Sequence, residues 1–123
     1  MFSHVMIGTN DLERAKTFYD AVLGAIGVAP GFVDRHRVFY RTPTGTFAVT
    51  IPINGEPAVA ANGGTVGFAC ASPEQAEAWH AAGIANGGVS CEDPPGQREG
   101  SKMFLAYLRD PDGNKLCGLH RMA

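Results

Sequence analysis

The sequence repeats itself at half its length, and no other feature limits the available folds as strongly. Phe2 to Ile7 reads as a short strand, and so does Val66 to Cys70. Each runs at once into a helix-start signal. In the first half, Asn10 is an N-cap residue with Glu13 three positions on. In the second, Ser72 is an N-cap with Pro73 at the first helical position and Gln75 at the third. Both have capping-box character, because the cap side chain accepts from an otherwise orphan N–H and the third residue reaches back. The caps stand about 62 residues apart, half of the 123-residue chain.

The pattern predicts a first helix from Asp11 to about Leu23. Leu12, Ala15, Phe18, Tyr19 and Val22 fall at three- and four-residue spacing on one apolar face, and Gly24 follows as a C-terminal cap. A second helix is predicted from Pro73 to about Asn86. Its inward face, Ala76, Trp79 and Gly83 with Ala82 beside them, is small apart from the indole, so it should sit very close to its sheet. Strand-like runs follow each helix: Arg37 to Arg41 and Thr46 to Ile53 in the first half, Lys102 to Arg109 and Lys115 to His120 in the second. Pro and Gly at Pro43-Thr44-Gly45 and at Asp110-Pro111-Asp112-Gly113-Asn114 supply the turns. Weaker strands are expected at Ala25 to Ala29 and at Gly88 to Cys91. Asp93 to Ser101 is expected to be a mobile loop over a cavity.

The order is thus βαβββ, linker, βαβββ, an α+β chain forming a single domain. Module one covers about residues 1–55, the linker about 56–63 and module two about 64–121. Helices should cover one face of each sheet, and the other faces should close on each other around a cavity. Alternation would place His4, Met6, Ala48, Thr50, Thr65, Gly67, Cys117 and Leu119 on its wall. Arg41 and Tyr107 are the side chains expected to add polar contacts.

Composition excludes some partners. The formal net charge is −2, and the ten Lys and Arg residues are scattered rather than striped, which argues against nucleic acid. No apolar run approaches a membrane span and no signal peptide is visible. Three cysteines, Cys70, Cys91 and Cys117, form neither a CxxC pair nor an even disulfide set. A cytoplasmic protein with reduced thiols is expected.

Ser3-His4-Val5-Met6-Ile7, then Asp11-Leu12-Glu13-Arg14-Ala15, then Phe18-Tyr19 to Leu23-Gly24 resembles the opening of a vicinal-oxygen-chelate protein, the glyoxalase / bleomycin-resistance / extradiol dioxygenase superfamily. Arg109-Asp110-Pro111-Asp112-Gly113-Asn114-Lys115-Leu116 resembles the hairpin before that family's last strand. The resemblance covers nearly the whole chain. It implies two βαβββ modules forming a curved mixed sheet around a small-molecule cavity, and a homodimer. It also implies a divalent metal held by four strand residues. Carried over one at a time, those positions fall on His4, near Thr50, near Thr65 and on Cys117. Threonine is a poor ligand for the ions that imidazole and carboxylate hold. A His and a Cys leave coordination half empty, so no metal is expected; one that bound would use His4 and Cys117. Two functions stay open. The first is a metal-free module binding a small organic molecule through His4, Arg41, Thr50, Thr65, Tyr107 and Cys117. The second is a metal-dependent lyase, isomerase or dioxygenase of the glyoxalase type, with His4 as the candidate catalytic residue.

Overall fold

A computed structural model describes all 123 residues. The elements are β1 (His4–Gly8), α1 (Leu12–Gly24), β2 (Phe32–Asp34), β3 (Arg37–Thr42), β4 (Gly45–Thr50), β5 (Val66–Ala69), α2 (Pro73–Ala85), β6 (Val89–Ser90), β7 (Gly96–Gln97), β8 (Met103–Arg109) and β9 (Lys115–Arg121). The first module forms a sheet in the order β1-β4-β3-β2. The second repeats it as β5-β9-β8-β6, with β7 added against β8. In both, the opening strand runs parallel to the closing strand and the hairpins are antiparallel. The duplicated βαβββ order and the α+β class are as expected. No helix is long and apolar enough to cross a membrane.

Several local expectations are corrected. The N-cap of α1 is Asp11, whose carboxylate accepts from the Arg14 N–H at 3.0 Å. Asn10 is drawn elsewhere: its side chain exchanges two hydrogen bonds with the backbone of Ala58, at 2.7 and 3.1 Å. The second cap is as read, with Ser72 accepting from Gln75. Ala25 to Ala29 is not a strand. The Val28 and Ile26 N–H groups both turn back to the Leu23 carbonyl, and Gly27 takes the left-handed conformation at φ +89°. Strand pairing therefore begins later, at Phe32. The Asp93–Ser101 stretch is not all loop: Gly96–Gln97 pairs with β8, and the Arg98 guanidinium donates to the carbonyls of Asp93, Pro94 and Gly96. His80, on α2, is half-buried and bonds Ser90 Oγ at 3.0 Å.

One core serves both modules. Phe18, Tyr19, Val22 and Leu23 of α1 meet Trp79 of α2, Val38 and Tyr40 of β3, Phe47 and Val49 of β4, and Ala106, Leu108 and Leu116 of the second sheet. The helices pack on each other and on the sheets. Rings form a chain through it: Tyr19–Phe47 centroids lie 4.9 Å apart, Phe47–Phe68 5.2 Å and Phe68–Trp79 6.4 Å. No ladder joins β1 to β5, so the two sheets stay separate.

The close approach of α2 to its sheet is as the small residues imply. A side chain at Gly83 would collide with Leu108. A Cβ at Gly118 would lie 2.9 and 3.1 Å from the Trp79 ring and 3.3 Å from Cys70 Sγ. Gly118→Ala is expected to cost about 1–3 kcal/mol by overpacking, read from urea unfolding.

A polar clamp ties the modules together. Asp110, buried in the β8–β9 turn, accepts from Tyr19 Oη at 2.5 Å, from the N–H groups of Asp112 and Asn114 at 2.9 Å each, and from Asn114 Nδ2 at 3.0 Å. Asp112 accepts from Thr9 Oγ1 at 2.5 Å, from the Asn10 N–H at 2.9 Å and from Arg14 at 2.8 Å. Asn114 also donates to the Gly8 carbonyl at 3.1 Å. The Asp-Pro-Asp-Gly-Asn turn of module two thereby caps the β1–α1 junction of module one. Burial, and then the Asp110 carboxylate, holds the Tyr19 hydroxyl well above its ordinary pKa.

Candidate functional site

The ladders decide which side chains share a face. His4 pairs with Thr46, Met6 with Ala48 and Gly8 with Thr50; Phe39 and Arg41 stand beside Ala48 and Thr46 on the next strand. All these project from the sheet face opposite Val5, Phe47 and Val49, which enter the core. On the second sheet, Gly67 pairs with Cys117 and Cys117 with Tyr107, again opposite the core face.

A cavity of about 610 Å3 lies at the junction of the modules, where the N-terminus, the end of α1, the β3–β4 hairpin and β5 converge. Of the residues expected on the wall, it takes only His4 and Gly67. The reason is the shared core. Ring packing from Phe47 through Phe68 to Trp79 draws the helix-side faces together, and the gap is left where the Leu23–Val28 turn leaves the sheet.

The cavity wall is apolar through Phe2, Val5, Leu23, Val28, Val66 and Phe68. Polar atoms sit at two places. Ser3 Oγ lies 2.8 Å from His4 Nδ1 on one rim. Thr42, Thr44 and Thr46 stand on the other, with Thr42 Oγ1 donating to the Gly45 carbonyl at 2.9 Å. No Asp, Glu, Lys or Arg lines the cavity. Tyr40 reaches its edge, but its hydroxyl is spent on Asp20 Oδ1 at 2.8 Å, and burial, then that carboxylate, pushes its pKa up. Burial works against the Asp20 charge, but hydrogen bonds from the Gly31 N–H, Lys16 and Tyr40 prevail and hold its carboxyl below the usual range.

The remaining candidates scatter. Arg41 is exposed and stacks 4.5 Å above the Phe39 ring. Thr50 donates to the Ile51 carbonyl at 2.8 Å. Thr65 lines a separate, polar cavity with Arg109 and Lys115. Tyr107 lies under two cations, with Lys115 Nζ 5.0 Å and the Arg98 guanidinium 5.8 Å from its ring, while Lys115 pairs with Glu92. Cys117 is buried, and burial raises its thiol pKa despite the Tyr107 hydroxyl. A thiol held neutral is a weak nucleophile and a weak ligand. Threonines 42, 44 and 46 were not anticipated as site residues; their alternation across a hairpin was the available signal.

The donor set does not fit the divalent ion that the family resemblance implies. His4 faces Thr46, and Cys117 faces Gly67 and Tyr107. Nowhere in the chain do three His, Cys, Asp or Glu side chains converge on one point.

Fold and cavity together define a class: a duplicated βαβββ protein with a cavity at its module junction. Residues 1–117 match the model of the Glyoxalase/Bleomycin resistance protein/Dioxygenase superfamily, and the chain belongs to that superfamily. It is similar to a glyoxalase/bleomycin resistance protein from Albidiferax ferrireducens, at 64% identity over 98% of this chain and 99% of that one, with a TM-score of 0.96. A glyoxalase-related enzyme from Fulvimarina pelagi shares the fold at 20% identity, covering 98% and 88% of the two chains, TM-score 0.74. So does a lactoylglutathione lyase from Agrobacterium tumefaciens, at 19% identity, 98% and 92% coverage and TM-score 0.69. None of the curated proteins is similar enough to this chain to count as a match.

Proposed function

We propose that this protein binds an uncharged, mainly apolar organic molecule in the junction cavity, without the divalent metal of its family. The observation that carries this reading is the wall itself. About 610 Å3 is bordered mainly by apolar side chains, with hydroxyls and one imidazole at the rims and no Asp, Glu, Lys or Arg among them. Apolar walls with a few placed polar groups are the usual make-up of a small-molecule site. A cationic or anionic ligand would lose its hydration with no counter-charge to replace it. His4 orients the ligand by hydrogen bonding, and the threonine rim supplies the opposing contact.

Titration with the neutral fluorophore N-phenyl-1-naphthylamine tests it. Saturable one-to-one binding is expected, unchanged after dialysis against EDTA. Val28 lines the cavity and is only half-buried. Val28→Trp is therefore expected to fill part of the site and weaken binding at least tenfold, with circular dichroism verifying that the variant is folded. Equal binding by folded Val28→Trp rejects this site. A stoichiometric ion whose removal abolishes turnover of a dicarbonyl or catechol substrate would establish the metalloenzyme reading in its place.

The same reading includes a homodimer, supported by the exposed Phe32 and Val33 on the edge strand β2. Light scattering on the purified chain tests it. A cytoplasmic location is supported by three cysteines that all remain free thiols.

A further inference from the structure

Arg109 and Lys115 stand directly opposite each other at the rung of β8 and β9 nearest their turn. Like charges in that position repel. Lys115 is offset by Glu92. Arg109 has no carboxylate partner, and one of its nitrogens donates to the Gly113 carbonyl at 2.9 Å. Both residues line a second cavity of about 250 Å3, different in composition from the first: Asn62, Gly63, Gly64 and Thr65 also line it, and no Asp or Glu does. Gly63 takes φ +90°, which turns the loop so that the Gly64 N–H bonds the Ala61 carbonyl at 3.2 Å. The Gly63 and Thr65 N–H groups have no backbone acceptor. Two cations, one of them also paired with Glu92, backbone N–H groups without a backbone acceptor and a hydroxyl border one small space, a set that suits a compact oxyanion.

We propose that this cavity is an oxyanion site that takes a phosphate group, either as the free ion or as the head of a monoester. Arg109 holds two oxygens through its fork, Lys115 adds the second charge, and the Gly63–Thr65 loop donates from the far side. Thr65, a candidate from the sequence that the junction cavity leaves out, acquires its role here. The phosphate also relieves the repulsion built into the Arg109–Lys115 rung.

Isothermal titration of the full chain with sodium phosphate, at ionic strength held constant with sodium chloride, is the test. Saturable one-to-one binding is expected. Arg109→Gln and, separately, Lys115→Gln are each expected to weaken it at least tenfold, and Arg109→Lys by a smaller factor, because the charge survives and the fork does not. Lys102→Gln, at an exposed position outside the cavity, should leave it unchanged. Phenyl phosphate separates the two sources: tighter binding than inorganic phosphate assigns the site to esters, equal or weaker binding to the free ion. Circular dichroism in chloride alone verifies that each variant is folded. Absence of saturable binding by both anions, or equal phosphate affinity in wild type and in the two glutamine variants, overturns the proposal.

Discussion

Asp110→Ala is expected to remove about 4 kcal/mol of stability, a large share of the roughly 5–15 kcal/mol that holds a domain of this kind folded. The carboxylate is 4% exposed and meets no cation; four donors satisfy it instead. Hydrogen bonds to a charged acceptor are worth about 1.5–3 kcal/mol each, and they do not add. Alanine leaves the buried Tyr19 hydroxyl and two part-buried backbone N–H groups without their acceptor. It also loosens the turn that presents Asp112 to Thr9, Asn10 and Arg14, so the damage crosses from one module to the other. Tyr19→Phe removes one donor of four and is expected to cost about 1–2 kcal/mol. Urea unfolding of the three chains measures both differences. An Asp110→Ala loss below that of Tyr19→Phe would show that the clamp does not hold the modules together.

The second large effect is at Trp79. Its side chain is fully buried between Phe68, Gly118 and α1, and Trp79→Ala is expected to cost about 4 kcal/mol through lost contact and the cavity left behind. The indole N–H is buried without an acceptor. An unpaired buried donor already costs roughly 1–3 kcal/mol in the native state. Trp79→Phe removes that donor with the extra ring, so its loss should fall well short of the alanine loss. Equal losses for Phe and Ala in the same unfolding experiment would mean that the N–H is satisfied.

Much of the frame was legible without coordinates. Ser72-Pro73 with Gln75 marks a helix start because the cap, the proline and the third-position amide act within one turn of backbone. The apolar spacing of Leu12 through Val22 and the alternation along the strands likewise set faces that the folded chain keeps. Local rules failed where two segments competed. Asn10 and Asp11 are both good caps, and the tie was broken by Ala58 and Asp112, which draw Asn10 away. Ala25 to Ala29 carries strand-compatible residues, but Gly27 and the Leu23 carbonyl, which accepts from Ile26 and Val28, favour a turn after α1. Gly96–Gln97 pairs with β8 because a neighbouring strand edge was open to it.

The site was less legible than the frame. Placing His4 on one wall required only period-two alternation from the chain's start. Arg41, Thr50, Tyr107 and Cys117 also share predictable sheet faces, yet none reaches the junction cavity. The sequence alone determined the duplication, the α+β order and the helix faces, since each depends on residue identity at short spacing. Only the tertiary structure decided where the empty space lies, that Asp110 and Asp112 fasten two modules, and that Thr65 faces Arg109 and Lys115. Those outcomes depend on how aromatic side chains from both halves fill a common core. That packing is a property of volumes meeting across about a hundred residues of chain, and no local pattern encodes it.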